Sequence, residues 1–142
     1  MDHPDSGAAL MQRAFRAALA LVPAVFLLAT PAAAGGHRDD MMLHVDMATR
    51  IEQRCNARAM GQLGREDKTM RPEEVVAYAF AEPKLGKASI AAPGAAVRSR
   101  GHWYHLAYQC RTSADGMEVE DFRYQLGAEV PRNQWDAHSL VE

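Results

Sequence analysis

Apolar residues in this chain follow three successive rhythms. A nearly unbroken apolar run occupies residues 17–29. From Met47 the spacing becomes four, with Met47, Ile51, Cys55, Ala59 and Leu63, the repeat that gathers on one side of an α-helix. From Ala95 to Leu126 the spacing becomes two, the repeat of strands with one buried face. Together these predict a leader, a helix and an antiparallel sheet. The expected fold class is α+β, with one long N-terminal helix packed on a small antiparallel β-meander.

The ends of the helix are marked by chemistry. Asp46 can accept from the free amides of the first turn, and Gly64 is the expected C-terminal stop. Arg50, Gln53, Arg54, Asn56 and Gln62 fall on the other side and read as a solvated face, Arg50 and Arg54 as surface charges rather than an anion clamp. After a charged linker, Pro72-Glu73-Glu74 suits the first turn of a short second helix. The run Val75–Phe80 also fits a strand, and the helix is the preferred reading. Pro83 ends it.

The sheet is legible from its turns. Arg100-Gly101 lies between Val97 and Trp103, and glycine there permits the positive φ of a tight hairpin. Folding about it sets Val97 opposite Tyr104, Ala95 opposite Leu106 and Arg98 opposite Trp103. A second turn over Thr112–Gly116 is expected to set Leu106 near Phe122 and Tyr104 near Tyr124. One face then collects Ala95, Val97, Tyr104, Leu106, Tyr108, Cys110, Phe122, Tyr124 and Leu126. The other collects Arg98, Trp103, His105, Asp121, Arg123 and Gln125. After Val130-Pro131 a short turn or helix is expected, with Trp135 and Leu140 folding back to cover an edge.

The leader changes how much of the chain is domain. Arg13 and Arg16, the apolar run, and Thr30-Pro31-Ala32-Ala33-Ala34 form a secretory signal pattern. The expected cut lies between Ala34 and Gly35. Pro23 and Pro31 leave fewer than the ~20 apolar residues of a membrane span, so no stable transmembrane segment is expected after cleavage. The division is residues 1–34 signal peptide, 35–45 flexible polar arm and 46–142 a single α+β domain. The formal net charge of the 142-residue chain is −2, which offers no footprint for nucleic acid or for an anionic membrane. The expected location is periplasmic or secreted. In such a compartment the only two cysteines, Cys55 and Cys110, read as a disulfide joining helix to sheet.

The order of motifs has a precedent. Thr49, Ile51, Glu52, Gln53, Cys55, Ala59 and Met60 in the helix are followed by RPEEVVAYAFAEP, APGAAVRSRGHWYHLAYQC, FRYQLGAEVP and Trp135. This series resembles the proteobacterial domain-of-unknown-function family 930 over Asp46–Leu140, most specifically at Ala92–Tyr104 and the two cysteines. The resemblance implies a small exported or membrane-associated domain and brings no activity, cofactor or catalytic residue.

Candidate chemistry is sparse. Ser99, Ser113 and Ser139 lack an oxyanion signature such as GxSxG, and Glu118, Glu120 and Asp121 read as a solvated edge. No cofactor is expected, and the chain is read as a non-enzyme. Arg98, Trp103, His105 and Arg123 are the candidate binding residues. Exposed tryptophan beside arginine is the composition of interaction hot spots, with Arg98 over Trp103 as a cation–π pair. Another exported protein, or an anionic or sugar-like ligand of the envelope, is the expected occupant. The competing expectation is that the C-terminal segment covers Trp103 and makes a second small core. A further candidate depends on the cut. A free Gly35-Gly36-His37 terminus would present a square-planar nitrogen site through His37, suited to copper or nickel. His102 and His105 point to opposite faces and cannot share a metal, and His138 is isolated.

Overall fold

In a computed structural model, residues 35–142 are described. The leader and its cut lie outside the described residues, as does the side chain of His37. Helix α1 spans Gly35–Leu43, where a polar arm is expected, and α2 spans Met47–Glu66. Five strands follow: β1 Pro72–Val76, β2 Lys84–Gly86, β3 Ser89–Ser99, β4 His102–Thr112 and β5 Val119–Glu129. Two 3-10 turns, Arg132–Gln134 and Asp136–His138, close the chain. Every strand pairing is antiparallel. The sheet runs β1-β3-β4-β5, and β2 pairs with the other end of β3.

The fourfold repeat on α2 does what its spacing dictates. Ile51, Cys55, Ala59 and Leu63 are each at most 1 % exposed, and full burial of an Ile or Leu side chain contributes about 1.5–3 kcal/mol. Asp46 Oδ1 accepts from Thr49 N at 3.1 Å. Gly64 does not end the helix, which continues to Glu66 and is capped at Asp67. A Cβ at Gly64 would stand in ordinary contact with Pro72 Cδ, at 3.4 Å, so no close approach demands glycine there.

The solvated face of α2 needs two corrections. Asn56 is buried and accepts from the Tyr108 hydroxyl at 2.7 Å. Arg50 donates to the carbonyls of Met42, Leu43, Val45 and Asp115 at 2.6–2.9 Å. It ties the end of α1 to the start of α2 and to the β4–β5 turn, because a planar guanidinium can serve several carbonyls at once.

The expected second helix is strand β1. Propensity for a proline-led first turn loses to pairing, since Val75 and Val76 lie against Val97 and Ala96 of β3. The loop after β1 crosses the irregularity between Ala92 and Ala95 in β3. Phe80 N donates to Gly94 O at 2.7 Å. A Cβ at Gly94 would fall 2.8 Å from the carbonyl carbon of Phe80, so this crossing requires glycine.

The first hairpin has the expected register: Val97 opposite Tyr104, Ala95 opposite Leu106 and Arg98 opposite Trp103. Arg100 and Gly101 both have positive φ. The second hairpin is displaced four residues along β5, with Leu106 opposite Leu126, Tyr108 opposite Tyr124 and Cys110 opposite Phe122. Its loop is longer than expected because Ser113 and Asp115 organise it internally. Ser113 Oγ accepts from Glu118 N at 3.0 Å and Asp115 Oδ1 from Met117 N at 3.1 Å. An even displacement leaves every side chain on its original face. All nine residues assigned to the apolar face accordingly join the core beneath α2. There the Cys55–Cys110 disulfide connects α2 to β4 across 6.0 Å between Cα atoms. Among the described residues no helix is long and apolar enough to cross a membrane.

Candidate functional site

The outer face of the sheet, away from α2, divides into a sealed end and an open trough. At the sealed end Trp103 is fully buried in a second core with Ala79, Ala96, Val130, Trp135 and Leu140. Trp103 Nε1 donates to Val141 O at 2.8 Å, and Trp135 Nε1 donates to Val130 O at 3.0 Å. The residues after β5 therefore fold over Trp103 as a flap. Of the two readings of Trp103, cover by the C-terminal segment is the one observed and the exposed hot spot is corrected, because an indole with a free N–H is best served by an apolar pocket and one carbonyl. Arg98 does not sit over it. Its Nε lies 3.0 Å from Glu73 Oε2, with Glu74 at 4.0 Å. The cation–π pair that forms is Arg132 over Trp135, at 4.3 Å.

His105 and Arg123, with Gln125, belong to the open part. Ala91 and Pro93 of β3, Ala107 and Gln109 of β4, and Arg123 and Gln125 of β5 line a hollow of about 390 Å³, with Lys84 at its end. It runs into a second hollow of 260 Å³ at Arg111 and Asp121, and a third of 180 Å³ adjoins at Phe80, His105 and Gly127. The floor is low because the outward positions here carry alanine or glycine. A Cβ at Gly127 would stand 2.8 Å from His105 Cβ. Arg123 is loosely held, 3.8 Å from Asp121 and 3.5 Å from Gln109. His105 packs against Phe80 at 4.3 Å between ring centres and His138 of the flap against the same ring at 4.1 Å, both tilted by 41°.

Of the four expected binding residues, the trough brings together His105 and Arg123. It leaves out Arg98 and Trp103. Ala107 and Gln109 were findable in the sequence, since the period of two that places His105 outward also places positions 107 and 109 outward. Lys84 was not, because β2 pairs through three residues with no patterned neighbours.

Tyr108 and Tyr124 also border the first hollow, but their hydroxyls meet α2 on the helix side, where Glu52 and Glu66 also lie. The hydrogen bond from the Tyr124 hydroxyl to Glu66, at 2.6 Å, pushes Tyr124 up to about 12 and lowers Glu66. Burial, then the nearby Glu52 charge, raises Tyr108. Burial raises Glu52 itself. None of these groups converges with a nucleophile in the trough. Among the described residues no group of three or more His, Cys, Asp or Glu is placed to hold a metal ion.

These features define a small disulfide-tied α+β domain with one sheet face closed by a helix and the other half-closed by a flap. Residues 42–140 match the family described as Domain of Unknown Function (DUF930), and the chain belongs to that family. No curated protein and no solved structure matches the chain.

Proposed function

We propose that this protein is an exported, periplasmic domain that catalyses no reaction and acts by holding an extended segment of a partner protein in the outer trough. The observation that carries this reading is the run of small outward residues Ala91, Ala107 and Gly127 between polar walls at Lys84, Gln109, Arg123 and Gln125. Small residues on a strand face leave the sheet low enough for a second chain to lie against it, and the amide and guanidinium walls supply directional bonds. From Asp121 to Gly127 the trough is about 20 Å long at ~3.3 Å per residue, the length of roughly six extended residues. The signal pattern before Gly35 and the helix–sheet disulfide both suit an oxidising compartment.

A photo-crosslinking residue at Ala107 or Gln109, introduced in the native envelope, tests this. The expected result is a discrete adduct from either trough position, and the adduct from position 109 disappears in Ala107→Arg while the melting temperature holds. Equal labelling from an exposed helix position such as Gln53 would reject the trough as the docking surface.

A further inference from the structure

A second surface of different chemistry lies where α2 faces the β4–β5 turn. Arginines recur along α2 at Arg50, Arg54, Arg58 and Arg65. The guanidinium of Arg50 is saturated by four backbone carbonyls, but the other three are not. Arg54 pairs with Asp39 through one nitrogen, which also lies 3.9 Å from Met117 Sδ, while its Nε is shut away from solvent with no acceptor. Arg58 donates one long bond, 3.3 Å, to Val119 O. Arg65 makes no hydrogen bond or ion pair to another side chain among the described residues. It lies back along the helix, so that a Cβ at Gly61 would stand 3.2 Å from its Nη1. Arg54, Arg58 and Arg65 line a hollow of about 430 Å³, with Ala57 and Gly61 on the helix side and Met117 and Glu118 opposite.

We propose that this hollow binds a phosphate group. The lining sets three guanidiniums against one carboxylate, Glu118, and is net positive; outside it Asp39 pairs with Arg54 and Glu66 feels the charge of Arg65. A carboxylate ligand has two oxygens and can fully engage one planar guanidinium. Phosphate presents more oxygens and can bridge several. Arg54 to Arg65 spans about 16 Å of helix at 1.5 Å per residue, room for a phosphate carrying an organic body. A soluble phosphate ester and a lipid headgroup share this chemistry.

The test uses the full chain exported and processed by its host, with the disulfide intact. The probes are inorganic pyrophosphate and vesicles of phosphatidylcholine and phosphatidylglycerol in equal parts. Binding is followed by amide chemical shifts and by co-sedimentation. Pyrophosphate is expected to move amides of residues 54–65 and 117–119. Arg58→Gln/Arg65→Gln should weaken binding by about tenfold per guanidinium, the usual effect of losing a charge-assisted hydrogen bond. Arg71→Gln/Arg100→Gln, which removes the same charge from another surface, should leave it unchanged. Sedimentation with vesicles but no pyrophosphate shift, under the same variant pattern, assigns the phosphate to a lipid. The reverse assigns it to a soluble ester. Binding of neither probe, or equal weakening by both double variants, overturns the site.

Discussion

Replacing Trp103 with alanine tests whether the flap closes a true second core. The indole is wholly buried, and a tryptophan removes about 150–250 Å² from water. At ~25 cal/mol per Å² the transfer contribution is about 4–6 kcal/mol, in line with the 3–5 kcal/mol typical of large aromatic-to-alanine changes in cores. The lost hydrogen bond to Val141 O, which is only part-buried, adds about 1 kcal/mol at most. The expected loss is therefore about 4 kcal/mol, a large fraction of the 5–15 kcal/mol that holds a domain together. Trp103→Phe keeps most of the apolar area and should lose less than half as much. Urea unfolding of both variants, followed by fluorescence of the remaining Trp135, measures the pair. A loss below about 1 kcal/mol for the alanine variant would refute the reasoning, since a side chain that anchors a core cannot be removed so cheaply.

Two further outcomes follow from the helix side. Reducing the disulfide, or replacing both cysteines with alanine, should cost about 4 kcal/mol on the chain-entropy model for a sequence separation of 55. Urea midpoints with and without reductant check it, and unchanged midpoints would contradict it. Tyr108 and Tyr124 ionise at higher pH folded than unfolded, so their contribution to stability is intact below pH 10. It is lost as pH climbs through 10 toward about 12. Urea midpoints across that window should fall for the parent and fall less for Tyr124→Phe, and a flat parent profile would contradict the assignment. Tyr108→Phe should cost about 1–3 kcal/mol at neutral pH by leaving the buried Asn56 oxygen without a donor.

The outcomes that agreed with the sequence reading share a physical origin. Helix period, strand period and the Arg100-Gly101 turn are local properties, carried by bonds between near neighbours. They were enough to place Cys55 against Cys110 and to assign nine residues to the apolar face. That assignment survived a four-residue error in the second hairpin, because parity decides the face and an even slip conserves it. Readings that rested on propensity alone fared worse. Pro72-Glu73-Glu74 is good helix chemistry, yet the segment pairs with β3 once that edge is available.

What the sequence by itself determined is the α+β class and the covalent tie between helix and sheet, set by periodicity and by two cysteines, and the family, carried by the order of its motifs. What only the tertiary structure decided is which polar or aromatic residues meet solvent. Asn56 occupies a position the local pattern marks as outward, and for Trp103 the sequence left an exposed face and a C-terminal cover both open. Their burial depends on elements distant in sequence, the flap after β5 for Trp103 and Tyr108 of β4 for Asn56. The arginines of α2 differ from one another for the same reason. Identical side chains on one helix are saturated or left with spare donors according to which carbonyls the α1–α2 junction and the β4–β5 turn bring within reach.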